Sequence, residues 1–82
     1  MLDLEQAAIR GRLAEAKEKE ANQNLLIEGF CRAIRTGLNP ALTAPADLEI
    51  PALGVQWDAL EGAWGHLQVI RAEISRLERG LN

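Results

Sequence analysis

Thr36-Gly37-Leu38-Asn39-Pro40-Ala41-Leu42-Thr43-Ala44-Pro45-Ala46-Asp47-Leu48-Glu49-Ile50-Pro51 holds all three prolines of the chain. Proline lacks an N–H and clashes with the preceding turn, so no helix runs through this stretch. Gly37 suits a left-handed C-terminal position, and Pro40 forbids continuation beyond it. Pro51, preceded by an extended Ile50, suits a first helical residue. Residues 38–50 carry no basic side chain and read as a loop of about 37–50 with one short helical turn at most. Towards the N-terminus, residues 3–36 contain no proline and are rich in good helix formers, which predicts a helix of about 3–36 capped by Asp3. Towards the C-terminus the spacing predicts a second helix of about 51–79, stopped by Gly80. Gly54, Gly62 and Gly65 weaken it by about 1 kcal/mol each relative to alanine, so tertiary packing must hold it. Close helix approach is the expected reason for these three glycines. At 1.5 Å per residue the helices reach about 50 Å and about 43 Å, similar enough to lie side by side. The expected fold is an all-α antiparallel two-helix hairpin with a proline-containing loop, one domain over residues 1–82.

The apolar spacing says which faces meet. In the first helix Leu2, Gln6, Ile9, Leu13, Ala16, Glu20, Gln23, Ile27, Phe30 and Ile34 follow at alternating steps of four and three. That is a coiled-coil seam interrupted by polar Glu20 and Gln23. In the second helix the stripe is Leu53, Trp57, Leu60, Trp64, Leu67, Ile70, Ile74, Leu77 and Leu81, with one short step at Leu67–Ile70. A further set, Val55, Ala59, Gly62, His66 and Val69, lies alongside it. Leu26 and Cys31 broaden the stripe of the first helix in the same half. Both helices are therefore wide-faced near the loop and narrow-faced near the termini. This predicts a packed head of Leu26, Ile27, Phe30, Ile34, Leu53, Trp57, Leu60 and Trp64, roofed by Leu38, Leu42, Leu48 and Ile50. A stalk extends from it in which Ile9 and Leu13 meet Ile74, Leu77 and Leu81. In this register Trp64 falls near Gln23 and Glu20, which offer its indole N–H an acceptor. A wide face on both helices leaves apolar surface over, and a second copy covering it makes a four-helix bundle around a two-fold axis. The expected self-association or partner interface residues are Trp57, Leu60, Trp64, Val55, Ala59, Gly62, His66 and Val69, the tryptophan face serving either as the hairpin's own core or as that interface.

Composition points the same way. A core of 82 residues is marginal, because below about 70–80 residues a single core rarely supplies more than about 3–5 kcal/mol. One cysteine forms no intrachain disulfide, and one histidine with one cysteine cannot close a zinc site. Association is what remains. With 9 basic against 12 acidic residues the net charge is −3, which argues against a dedicated nucleic-acid binder. A hydrophobic content of 48% excludes a disordered chain. No apolar run approaches the length of a membrane span, and the lone Cys31 fits a reducing cytoplasm.

No constellation of residues carries chemistry. His66 has no His, Cys or Asp at ligand spacing and reads as a rim or interface side chain rather than a proton-transfer group. Cys31, next to Phe30, reads as a small buried hydrophobe despite Arg32 and Arg35 nearby. Glu15-Ala16-Lys17-Glu18-Lys19-Glu20 alternates in sign and reads as a solvated face. Arg10, Arg12, Arg71, Arg76 and Arg79 gather at the termini end, but Asp3, Glu5, Glu15, Glu73 and Glu78 gather there too. Glu20, Gln23 and Arg71 are the polar residues on or beside the seam that an anion-binding catalytic pocket would use. The expectation is a non-enzyme without catalytic residue, cofactor or metal. It works by protein interaction, the alternative being a small regulator acting on nucleic acid directly or through a DNA-binding partner.

Arg32-Ala33-Ile34-Arg35-Thr36-Gly37-Leu38-Asn39-Pro40, Leu48-Glu49-Ile50 and Ala72-Glu73-Ile74-Ser75-Arg76-Leu77-Glu78-Arg79 together resemble small helical-hairpin proteins of phage and prophage early regions. The resemblance spans the second half of the first helix to the C-terminus. It implies an intracellular accessory protein in a phage or integrated-phage setting, and carries no catalytic residue over.

Overall fold

The computed structural model describes residues 2–81, in two long helices joined by a proline-bearing loop. Helix α1 spans Leu2–Gly37 and helix α2 spans Ile50–Leu81, with a single 3-10 turn, Pro45–Asp47, between them. The chain is an all-α antiparallel hairpin, drawn out to 66 × 16 × 15 Å. Among the described residues no helix is long and apolar enough to cross a membrane.

The helix ends differ from the simplest reading of their punctuation. Asp3 lies inside the first turn of α1 with Glu5, where a carboxylate favours the positive end of the helix dipole without capping it. Gly37 is not left-handed: it closes α1 with negative φ, and Leu38 N–H still donates to Ile34 O at 3.0 Å. A methyl group at Gly37 would sit 2.5 Å from Leu53 Cδ2, so this glycine packs directly against the Leu53 side chain rather than making a turn. Asn39 then makes the turn, its side-chain oxygen accepting from Ala41 N–H at 2.9 Å and its carbonyl accepting from Leu42 and Thr43. Helix α2 starts one residue earlier than expected. Its first bond runs from Leu53 N–H to Glu49 O at 3.0 Å, so Pro51 sits in the first turn, where its missing N–H costs nothing. At the far end α2 continues through Gly80, packed against Ile9 of α1.

The α1 seam lies where its spacing put it. From Gln6 to Ile34 the positions shielded by α2 are the expected ones, and Gly37 adds one more. Leu2, the first expected seam residue, lies outside the residues whose side chains are described. The α2 seam corrects two positions. Gln56 and Ala63 face α1 in place of Trp57 and Trp64, so the seam reads Leu53, Gln56, Leu60, Ala63, Leu67, Ile70, Ile74, Leu77, Leu81 in unbroken steps of three and four. The reason is room. Ala63 is buried at this point, and the Gln23 side chain fills the space over it, its Nε2 donating to the Ala63 carbonyl at 2.8 Å. Heptad continuity, which one short step would have broken, outweighs the greater hydrophobicity of tryptophan.

This rotation moves the core. The buried cluster is Ala16, Ile70, Ile74 and Leu77, with Ile9 and Leu13 packed against it, all in the half near the termini. The expected packed head is instead only half-covered. Ile27, Phe30, Ile34, Leu53 and Leu60 are partly buried, while Leu26, Trp57, Trp64 and the loop residues Leu38, Leu42 and Ile50 are exposed. Two rods of 16 Å combined thickness cannot enclose a stripe more than half a helix wide.

Candidate interaction surface

Antiparallel heptads set each helix's e positions beside the other's e positions, and likewise the g positions. The hairpin therefore has two flanks. On the e flank α2 carries Ile50, Trp57, Trp64, Arg71 and Glu78, and α1 carries Arg10, Lys17, Asn24, Cys31 and Leu38. On the g flank stand Ala59 and His66 of α2 with Arg12, Lys19 and Leu26 of α1, bordered by Val55, Gly62 and Val69. A groove of about 470 Å³ confirms this pairing of sides, since Arg12 and Lys19 line it together with His66 and Glu73.

The residues expected at an interface are thus divided three ways. Trp57 and Trp64 share the e flank, 52% and 59% exposed. Val55, Ala59, Gly62, His66 and Val69 lie on the opposite side, all exposed. Leu60 belongs to the seam between the two helices, half-buried against α1. The Trp57 indole N–H donates to Glu61 Oε1 at 2.8 Å, one turn along its own helix. Gln23 turns its Nε2 to the carbonyl of Ala63, and among the described residues no hydrogen bond joins the Trp64 indole N–H to Gln23 or Glu20.

Cys31 corrects a further expectation, being exposed rather than buried. It occupies an e position beside Phe30, and a lone hairpin does not cover that position. The helix-2 glycines are also not sites of close approach within the chain. A Cβ added at Gly54, Gly62 or Gly65 meets nothing within 4 Å.

Exposed apolar side chains cluster along the rod. Of the ten large ones among the described residues, nine lie from Leu25 to Val69, and Leu4 lies outside. Charge runs the other way: residues 25–69 hold 7 of the 21 charged residues, and the remaining 37 residues hold 14. The loop half is consequently an apolar surface thinly charged, and the termini half a buried seam under a dense polar coat.

Polar groups do not converge on a reaction centre. The 470 Å³ groove is open, lined by Arg12, Lys19, Arg76 and His66 with Glu15 and Glu73 among them, and Arg76 is ion-paired to Glu73. Glu20, Gln23 and Arg71 are not brought together in it: Gln23 bonds across the seam and Arg71 is exposed on the e flank. Among the described residues no group of three His, Cys, Asp or Glu side chains is placed to hold a metal ion. One polar atom is stranded, the buried Oε1 of Gln56, at the loop end of the seam. Neither composition nor spacing marks Gln56, since an amide at a seam position reads like an exposed one until its neighbours are placed.

Comparison with known proteins returned no matching family model, no matching curated protein and no matching solved structure.

Proposed function

We propose that this chain is a non-enzymatic interaction protein whose fold is completed by a second copy, two hairpins joining as a four-helix bundle. The observation that carries this is the exposed apolar surface of the loop half, with both indoles more than half in solvent. Its extent supports a partner of substantial size. The hairpin exposes 6223 Å², whereas a folded protein of 9.0 kDa exposes about 4,900 Å² by size scaling. The surplus of about 1,300 Å² exceeds the roughly 800 Å² that each partner contributes to a standard interface. Surface of this kind, at about 25 cal/mol per Å², is the principal driving force available to a chain with so few buried side chains.

Within this reading the charged stalk keeps the assembly dissolved and presents helix faces to other proteins. A cytoplasmic accessory role in a phage or prophage setting, supported by the Arg32–Pro40 and Ala72–Arg79 motifs, belongs to the same proposal. Sedimentation equilibrium tests self-association: a concentration-dependent shift from 9.0 kDa to twice that mass is expected. Tryptophan emission should move to shorter wavelength over the same range as the indoles leave water. A well-folded monomer at micromolar concentration, with red-shifted emission throughout, overturns the proposal.

A further inference from the structure

We infer that the two copies join through the e flank, antiparallel to one another, about a two-fold axis that passes beside Cys31 of α1 and Trp57 of α2. This rests on the self-association proposed above and specifies its face and direction. The argument is one of self-complementarity: a two-fold interface sets a surface against itself, so each residue must tolerate its own mirror set.

Along the outer part of the flank α1 presents Asn24, Glu28, Cys31, Arg35 and Leu38. A two-fold between Cys31 and Arg32 sets Glu28 of each copy at the level of the other copy's Arg35. Neither of these exposed side chains has an ion-pair partner among the described residues of its own chain. The same operator acts on α2, whose e positions at this height are Ile50, Trp57 and Trp64. Trp57 meets its own copy, and each Trp64 arrives at the level of the other's Ile50, which is 54% exposed. Glu61 arrives at the level of Leu53 and Gly54, where no like charge opposes it. Around the exposed thiol the surface is already concave: Ile27, Glu28, Cys31, Arg32 and Arg35 line an open groove of about 360 Å³.

The flank also shows where the partner stops. Beyond Asn24 and Trp64 its e positions change to Lys17, Arg10, Arg71 and Glu78. An antiparallel neighbour centred on Cys31 ends its own helices near that height, because its loop turns at Leu38–Glu49. Four helices therefore overlap only in the loop halves, and two-helix stalks project from both ends. The overlap covers the exposed apolar side chains of the e flank, Leu38, Ile50, Trp57 and Trp64.

Mild oxidation of the full chain at a concentration where it is dimeric tests the geometry, each thiol losing a proton and an electron to the added oxidant. Cys31 should give a reducible dimer, while C31S combined with Gly11→Cys, which moves the thiol to the outer face of the stalk, should not. Charge reversal supplies the second arm. E28R and R35E each set like charges together twice and should weaken association about ten-fold or more, with unchanged helical circular dichroism. The double variant E28R/R35E restores both pairs in swapped order and should recover wild-type affinity. Wild-type dimerisation with no Cys31 cross-link, or with single variants as tight as wild type, overturns this face while leaving self-association standing. Absence of a wild-type dimer overturns both.

Discussion

Gly65→Ala should stabilise this protein, and the size of the effect follows from what the glycine faces. Residue 65 is in the middle of α2, where glycine costs about 0.8–1.0 kcal/mol relative to alanine because it must give up more backbone freedom. An added Cβ meets nothing within 4 Å, so no packing term opposes the gain, and the position lies off the seam and off the e flank. The full propensity difference should appear as stability. For a chain of this size about 1 kcal/mol corresponds to a rise of about 4–8 °C in Tm. Gly62→Ala, equally open, should add a similar increment. Gly37→Ala is the control with the opposite constraint. Its Cβ would stand 2.5 Å from Leu53 Cδ2, so the Leu53 side chain must move, and at the last residue of α1 the gain should be smaller than at Gly65. Thermal and urea unfolding followed by circular dichroism at one fixed protein concentration measures all three, with concentration held because association contributes to Tm. A Gly65→Ala variant that melts lower than the parent, or a Gly37→Ala variant that gains as much as Gly65→Ala, would refute the placement of these residues.

Two further outcomes follow from the seam. Leu77→Ala removes one of the three large members of the four-residue buried cluster, so it should cost about 2–5 kcal/mol and leave the hairpin largely unfolded at 25 °C by circular dichroism. Retention of wild-type helicity there would mean that the termini half is not the stable part of the rod. Gln56→Leu replaces a buried amide oxygen that has no hydrogen-bond partner with apolar volume, and should stabilise by about 1–3 kcal/mol in urea unfolding. Destabilisation instead would indicate that the amide has a partner the seam needs.

Much of the hairpin was legible in the residues alone, because its signals are local. Three prolines between Thr36 and Pro51 bar a continuous helix whatever else the chain does. The alternation of three and four from Gln6 to Ile34 names the buried stripe of α1, including the polar Glu20 and Gln23, because periodicity depends on helix geometry rather than on each side chain's hydrophobicity. Tertiary structure decided the matters that depend on distance between the helices. Only the burial of Ala63 beside an exposed Trp64 shows that alanine, not tryptophan, fills the α2 seam, and rotating those turns by one residue sends both indoles to the flank. Gly37 looked like a turn residue and is a contact residue, since φ and the position of Leu53 are properties of the folded pair. Cys31 looked buried because it follows Phe30, yet adjacent residues on a helix point about 100° apart, and whether the second is covered depends on whether another body lies beside it.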